Sequence, residues 1–336
     1  MIKHRERINA ARRGELVDRV PVALWRHFPG DDLDAEKFAA RVVEFQKRFD
    51  FDFVKVTPAS SYPAEMYGAT FSTPAPGSPR AREGTREKDT VPVRSVSDWD
   101  KITPLDASNP VFIREFTAIK LIRQQLGADV HILQTIFSPL NCAYNLALER
   151  VFDDLRAHPD VVHRALRALA ETTTRFAVAS LRAGADAIFF ATQMATAQRV
   201  TRAEFDAFGK QYDLQVLEAL RAAKPDFVFC HIHGLEIYFD VLMNYPVDVL
   251  NWHDRLTAPS LQEAREILRA ANRRQAIAGG IDEWNMLAQK SREQVLAQAR
   301  DAVTQAGERG FILAAGCVIP IDTPEGNIKA VVEAVR

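Results

Sequence analysis

The chain has 336 residues, 47% hydrophobic and 26% charged, with 43 Lys and Arg against 44 Asp and Glu. That apolar content excludes a disordered or fibrous chain, and the near-zero net charge gives no global attraction to nucleic acid or an anionic membrane. The length exceeds an ordinary domain, yet a (β/α)8 barrel fills it as a single unit, so one domain is expected.

The amino terminus, MIKHRERINAARRGE, is charged and lacks the apolar core of a signal peptide. No run of about 18 apolar residues predicts a membrane span, and the expectation is a cytoplasmic protein. Runs rich in Val, Ile and Phe then follow in order: VPVALW (20–25), FDFVKVT (51–57), DVHILQTIF (129–137), DAIFFAT (186–192), DFVFCHIH (226–233), VDVLNWH (247–253), QAIAGGI (275–281) and GFILAAG (310–316). Between them, segments 36–49, 149–181, 204–223, 260–272 and 292–307 place apolar residues at three- and four-residue spacing. This alternation predicts an α/β fold, a parallel sheet whose crossover helices cover it, and eight strands close a TIM barrel. An insertion of about 60–128 separates strands two and three. Its middle, STPAPGSPRAREGTREKDTVP, is rich in Pro, Gly and charge and reads as an exposed loop placed to cover the mouth.

A barrel of this kind builds its active site at the carboxyl ends of its strands. The polar residues there are Arg26 and His27 after strand one, and Lys55 and Tyr62 after strand two. Strands three and four end near Gln134, Asn141 and Gln193, and strand five in His231 and His233. His253, Asp254 and Arg255 end strand six, Asp282 and Glu283 strand seven, and Cys317 strand eight. In FVFCHIHG the alternation of side chains puts His231 and His233 on one face and Cys230 and Ile232 on the other. His27, His231, His233 and His253 therefore converge on one rim. Two imidazoles and one thiolate make a three-ligand zinc set with a fourth position open, leaving His253 as general acid or base. The competing reading is that the histidines satisfy backbone groups and Cys317 is a packed thiol behind Gly316. Arg26, Lys55 and Arg255 either anchor substrate carboxylates or phosphates or pair with Asp31, Asp52 and Asp254. The three cysteines lie far apart, which indicates no disulfide framework, and there is no Rossmann fingerprint, nucleophile elbow or P-loop.

The same strand ends resemble the uroporphyrinogen decarboxylase superfamily. RVPVALWRHFPG is similar to its early R-x-P-V-W-x-M-R-Q-A-G-R segment; HIHG, VLNWHDR, GGID and AAGCVIPIDTPEGNI resemble its later landmarks in order. The resemblance covers nearly the whole chain and implies a (β/α)8 barrel with an acidic or one-carbon substrate at its mouth. Against the heme-pathway decarboxylases, KVTPASSYPAEMYG offers no aspartate, Arg26 matches the first early arginine while the second falls near Gly30, and Tyr144 is displaced by about one position. Cys317 replaces a histidine. Methyltransferases of the superfamily that act on methylated corrinoids are similar through H-x-C-G and G-C-G-I-P, whose His, Cys and Cys bind zinc. The corresponding residues are His231, His233 and Cys317, the middle cysteine having become histidine.

The resemblance thus implies zinc-assisted methyl transfer, with His253 or His27 managing a proton, Arg26 and Lys55 holding substrate charge, and Tyr62, Gln134, Gln193 and Arg255 lining the substrate. A separate corrinoid protein would donate the methyl group. The alternative is metal-independent decarboxylation of an acidic substrate such as a porphyrinogen, and a non-catalytic binding barrel is a third class. Outward apolar helix faces are compatible with a homodimer.

Overall fold

The architecture, taken from a computed structural model, is described for residues 2–336. All eight predicted runs are strands: β1 Val22–Ala23, β2 Phe53–Val56, β3 His131–Phe137, β4 Ala187–Thr192, β5 Val228–Ile232, β6 Val249–Trp252, β7 Ala276–Ile281 and β8 Phe311–Ala315. They pair in parallel in the order β1-β8-β7-β6-β5-β4-β3-β2. Every strand is buried on both faces, which is why each reads as a near-continuous apolar run.

The inward face is identified by rings that meet across strands. Trp25, just beyond β1, lies 6.0, 5.5 and 6.1 Å from the rings of Phe53, Phe189 and Phe229, carried by β2, β4 and β5. Side chains from such distant strands meet only inside the barrel. Residues two positions further along the same strands therefore face the carboxyl-end mouth, and the intervening residues face the helices.

The seam between β1 and β2 has no ladder. It is closed by Asp52, whose backbone N donates to Val22 O at 2.8 Å and whose Oδ2 accepts from Val22 N at 2.8 Å. The same buried carboxylate receives Arg7 Nη1 at 2.6 Å, Arg19 Nη1 at 2.7 Å and His4 Nδ1 at 3.0 Å. Arg7 and His4 belong to an amino-terminal helix, His4–Arg12, that the apolar pattern did not announce because it buries only Ile8 and Ala11 beside Arg7 and is held as well by ion pairs.

Two predicted helices differ in detail. The segment 149–181 is two helices, Arg150–Ala157 and Pro159–Ala183, because Pro159 has no N–H to continue the first and is well placed to start the second. The segment 204–223 contains a π-helical turn, Phe205–Lys210, where a side chain on Gly209 would come within 2.5 Å of the Phe205 ring. The region 60–128 holds a two-stranded ribbon of Phe71–Ser72 and Glu87–Lys88 around a short helix, Pro79–Glu83. It also includes Pro110–Leu126, an ordinary crossover helix that packs with Ala35–Phe49 over β2 and β3. Among the described residues no helix is long and apolar enough to cross a membrane.

Candidate functional site

The face that carries Phe229 into the barrel carries His231 at the end of β5 and then His233. His231 is in register with Asn251 of β6, and His253 leaves the same face two residues later. Cys317 lies two residues beyond β8. The four residues His231, His233, His253 and Cys317 each offer one donor atom, all within 4.8 Å of one another.

Asn251 sets the chemical state of His231. Its Nδ2 donates to Ala278 O at 3.0 Å and Ala315 O at 3.1 Å, which assigns the amide orientation and leaves Oδ1 an acceptor. That Oδ1 lies 2.7 Å from His231 Nδ1, so Nδ1 carries the proton and Nε2 keeps its lone pair. Nε2 is buried and, among the described residues, has no hydrogen-bond partner. An unmet buried acceptor costs about 1–3 kcal/mol, which a cation at the centre of the cluster would offset.

His253 has a carboxylate behind it. Its Nδ1 is 3.0 Å from Glu283 Oε1, an ion-pair contact without the alignment of a hydrogen bond, and its Nε2 is 3.2 Å from His233 Nδ1. Cys317 Sγ is 3.6 Å from that same His233 nitrogen. Glu283 begins the π-helical turn Glu283–Leu287, fixed by the Asp282 carboxylate, which accepts from the N–H groups of Trp284 and Asn285.

Gly316 makes room for this pair: a Cβ there would lie 3.0 Å from both Cα and Nδ1 of His253 and 3.2 Å from Glu283 Oε2. Gly316→Ala is expected to cost about 1–3 kcal/mol of stability, since the nearest atom is backbone, and urea unfolding at neutral pH measures it.

Burial dominates the electrostatics. It holds His233 down at about 3, helped by His253 and Arg199, and His231 well below the ordinary histidine value, helped by His233 and His253. The imidazoles are thus neutral, the form that binds metals. Burial, then Glu283 and Glu83, push the Cys317 thiol up, an environment that a divalent cation would reverse by stabilising the thiolate.

Lys55 faces the same interior. Its Nζ lies 4.6 Å from the Phe189 ring centroid and 6.0 Å from that of Trp25, with Thr57 Oγ1 at 3.2 Å. Among the described residues it has no carboxylate partner, and burial lowers its pKa to about 7. His27, two residues after Trp25, is also buried and held down at about 3 by burial and Lys55. The 60–128 segment reaches it: a Cβ on Gly84 would lie 2.8 Å from His27 Cβ, and Arg82 O accepts from Ile321 N at 2.7 Å.

Other residues expected at the mouth face elsewhere. Arg26 falls between inward Trp25 and His27, so its guanidinium turns to the helix layer, over Phe28 and Phe45. Gln134 is likewise outward, in register with Val56 and Ile188, and donates to Thr135 O. Tyr62 packs on Phe137 and Phe176 and donates to Thr135 O at 3.3 Å. Arg255 is committed to Asp301 and to the carbonyls of Gly280 and Gln298. Gln193 is the exception: two residues past inward Ala191, it keeps to the mouth side and is partly exposed. The glycines of GGID serve packing: a Cβ on Gly279 would meet Asp254 Oδ1, and one on Gly280 would meet Ala302 Cβ, each at 2.3 Å.

Asn251 and Glu283 are the supporting residues that strand-end reading did not assign a role. The signal for Asn251 was present, since it stands two residues before His253 and shares its face. Glu283 sits at the end of β7, but only the folded barrel brings it behind His253.

The sequence profile of the Uroporphyrinogen decarboxylase (URO-D) family matches residues 3–336. The chain belongs to the uroporphyrinogen decarboxylase family. Among family relatives, a uroporphyrinogen decarboxylase of Synechococcus sp. is 23% identical, covering 98% of this chain and 97% of that protein. One from Cupriavidus necator is 26% identical over 73% of this chain and 69% of that protein. Among solved structures, a methyltransferase from Methanosarcina mazei superposes with a TM-score of 0.82 at 20% identity, covering 99% of this chain and 98% of that one. A B12-independent methionine synthase from Shewanella sp. gives 0.56 at 14% identity, covering 95% and 93%. At these identities the structural likeness shows the barrel fold. Chemistry within this family must be argued from the side chains at the mouth.

Proposed function

We propose that this member of the uroporphyrinogen decarboxylase family is a zinc-assisted methyltransferase whose metal is held by His231, His233 and Cys317. The observation that carries this reading is the buried, unpartnered Nε2 of His231, with its lone pair assigned by Asn251 and aimed among three further donors. Mixed nitrogen and sulfur ligands suit zinc, and an outer residue that holds the second nitrogen of a ligating histidine is the usual support of such sites. Zinc bound there would supply Lewis-acid activation of a thiol, hydroxyl or water nucleophile.

The chain's own groups do the rest. Asn251 orients His231, and Glu283 orients His253, which accepts or returns the nucleophile's proton. Lys55, with no carboxylate partner among the described residues, neutralises substrate charge beside the aromatic wall of Trp25 and Phe189. His27 and the Gly84 segment over it exclude water from that wall. A separate corrinoid protein is the proposed methyl donor; methyl transfer itself, though not the donor, is in keeping with the methyltransferase from Methanosarcina mazei.

A second reading, metal-independent decarboxylation of an acidic substrate, is supported by the relatives that are uroporphyrinogen decarboxylases. Lys55 and His27 would then serve the carboxylate and the proton. Arg26 and Arg255, which such a site would use for carboxylates, point elsewhere.

Elemental analysis separates the two. About one zinc per chain is expected in the wild type, lost in His231→Ala, His233→Ala and Cys317→Ala and kept in His253→Ala. Loss in His253→Ala as well would make it a fourth ligand and end its proposed proton role. Absence of metal from the wild type after zinc loading would overturn the methyltransferase reading in favour of decarboxylation.

A further inference from the structure

Arg26, turned away from the mouth, lines a small cleft of about 40 Å³ on the outer wall of the barrel, with Phe28, Arg41, Phe45, Arg48 and Glu325 around it. Two of the three guanidiniums there are already paired. Arg41 has Asp31 at 3.1 Å and Glu44 at 2.9 Å, and Arg48 pairs with Glu325.

Arg26 has no carboxylate within ion-pair distance among the described residues. Its guanidinium lies 5.3 and 5.1 Å from the ring centroids of Phe28 and Phe45. Nη1 donates to Ile321 O at 3.0 Å, and Nε is buried with no acceptor at all. Burial, then Arg41, work against the charged form, while Glu325 and Glu44 favour it from beyond direct contact. The cleft lining thus carries one uncompensated positive charge, on a guanidinium between two aromatic rings whose Nε–H is buried and unmet. A guanidinium in that state lacks a planar acceptor, which a carboxylate or phosphate group supplies with two parallel hydrogen bonds.

We propose that this cleft binds a small oxyanion, a carboxylate or phosphate group, on Arg26, apart from the histidine cluster. Arg41 and Arg48 flank the anion and keep their own carboxylate partners. The site is joined to the mouth through one short path: Arg26 holds Ile321 O, and Ile321 N holds Arg82 O of the segment that ends over His27.

The test is titration of the full chain with inorganic phosphate and, separately, acetate, followed by calorimetry and by the Arg26 Nε–H resonance. Saturable one-site binding that moves this resonance is expected, and Arg26→Gln should weaken it at least about tenfold. Tighter binding of phosphate would name phosphate as the group recognised, and tighter binding of acetate would name carboxylate. His231→Ala should bind as the wild type does, because the site does not use the cluster. If Arg26→Gln does not fold, Arg41→Gln and the wild-type resonance carry the test. Non-saturating responses to both anions up to about 50 mM, or unchanged affinity in Arg26→Gln, would overturn the proposal.

Discussion

Replacing Asn251 with leucine is expected to lower zinc affinity about 10–100-fold while the barrel stays folded. Leucine keeps the branched shape of asparagine, though it is bulkier, but cannot accept from His231 Nδ1, so the imidazole is free to place its proton on Nε2, the nitrogen proposed to meet the metal. It also leaves Ala278 O and Ala315 O without their donor, so a modest loss of stability should accompany the change. Asn251→Asp is the informative companion. Its carboxylate still accepts from Nδ1, so zinc binding should recover most of the lost affinity even though the two carbonyls remain unserved. Competition against a chelator of known strength measures both. Equal affinity in the wild type and Asn251→Leu would mean that Nε2 of His231 is not a ligand.

Asp52→Ala is expected to destabilise the chain by about 3–5 kcal/mol at neutral pH, the cost of removing the anion from a buried ion network. Arg7, only 3% exposed, would keep Asp18 at 2.8 Å but lose its contact at 2.6 Å, and the β1–β2 seam would lose the acceptor for Val22 N. Burial alone would raise the Asp52 pKa, but hydrogen bonds from His4 and Arg19 outweigh it and hold the carboxyl below the ordinary range. Its stabilising contribution is therefore fully present above the unfolded value of about 3.9 and is lost as pH falls through the lower native value. His4 behaves oppositely. Its hydrogen bond to Asp52 raises its pKa, so its share is present below about 6.5 and is lost as pH rises through the native value. Urea unfolding of wild type and Asp52→Asn across pH checks both signs: the difference between them should be largest in the mildly acidic range and vanish in strong acid.

Both variants probe features of different visibility in the linear chain. The eight strands were legible because each is buried on both faces, which demands a continuous apolar run, and the crossover helices because each buries one stripe. His231 and His233 were legible as a pair because a two-residue period puts them on one face. The seam at Asp52 was not, since an aspartate beside an apolar run looks like any strand-flanking charge until Arg7, Arg19 and His4 are folded onto it. Arg26 and Gln134 were placed at the mouth from their position at strand ends, yet each alternates with an inward neighbour, Trp25 and Thr135, and so faces the helices.

What the amino-acid order determined by itself is periodic and local: the barrel class, the strands, and the residue types available at their carboxyl ends. Tertiary structure decided which of those residues meet. The register of β5 against β6 sets Asn251 beside His231, and closure of the barrel brings Cys317 from β8 across to His233. Gly316 lets His253 approach Glu283. Those contacts join residues that lie 20 to 84 positions apart, and no pattern of neighbouring residues encodes a distance of that kind.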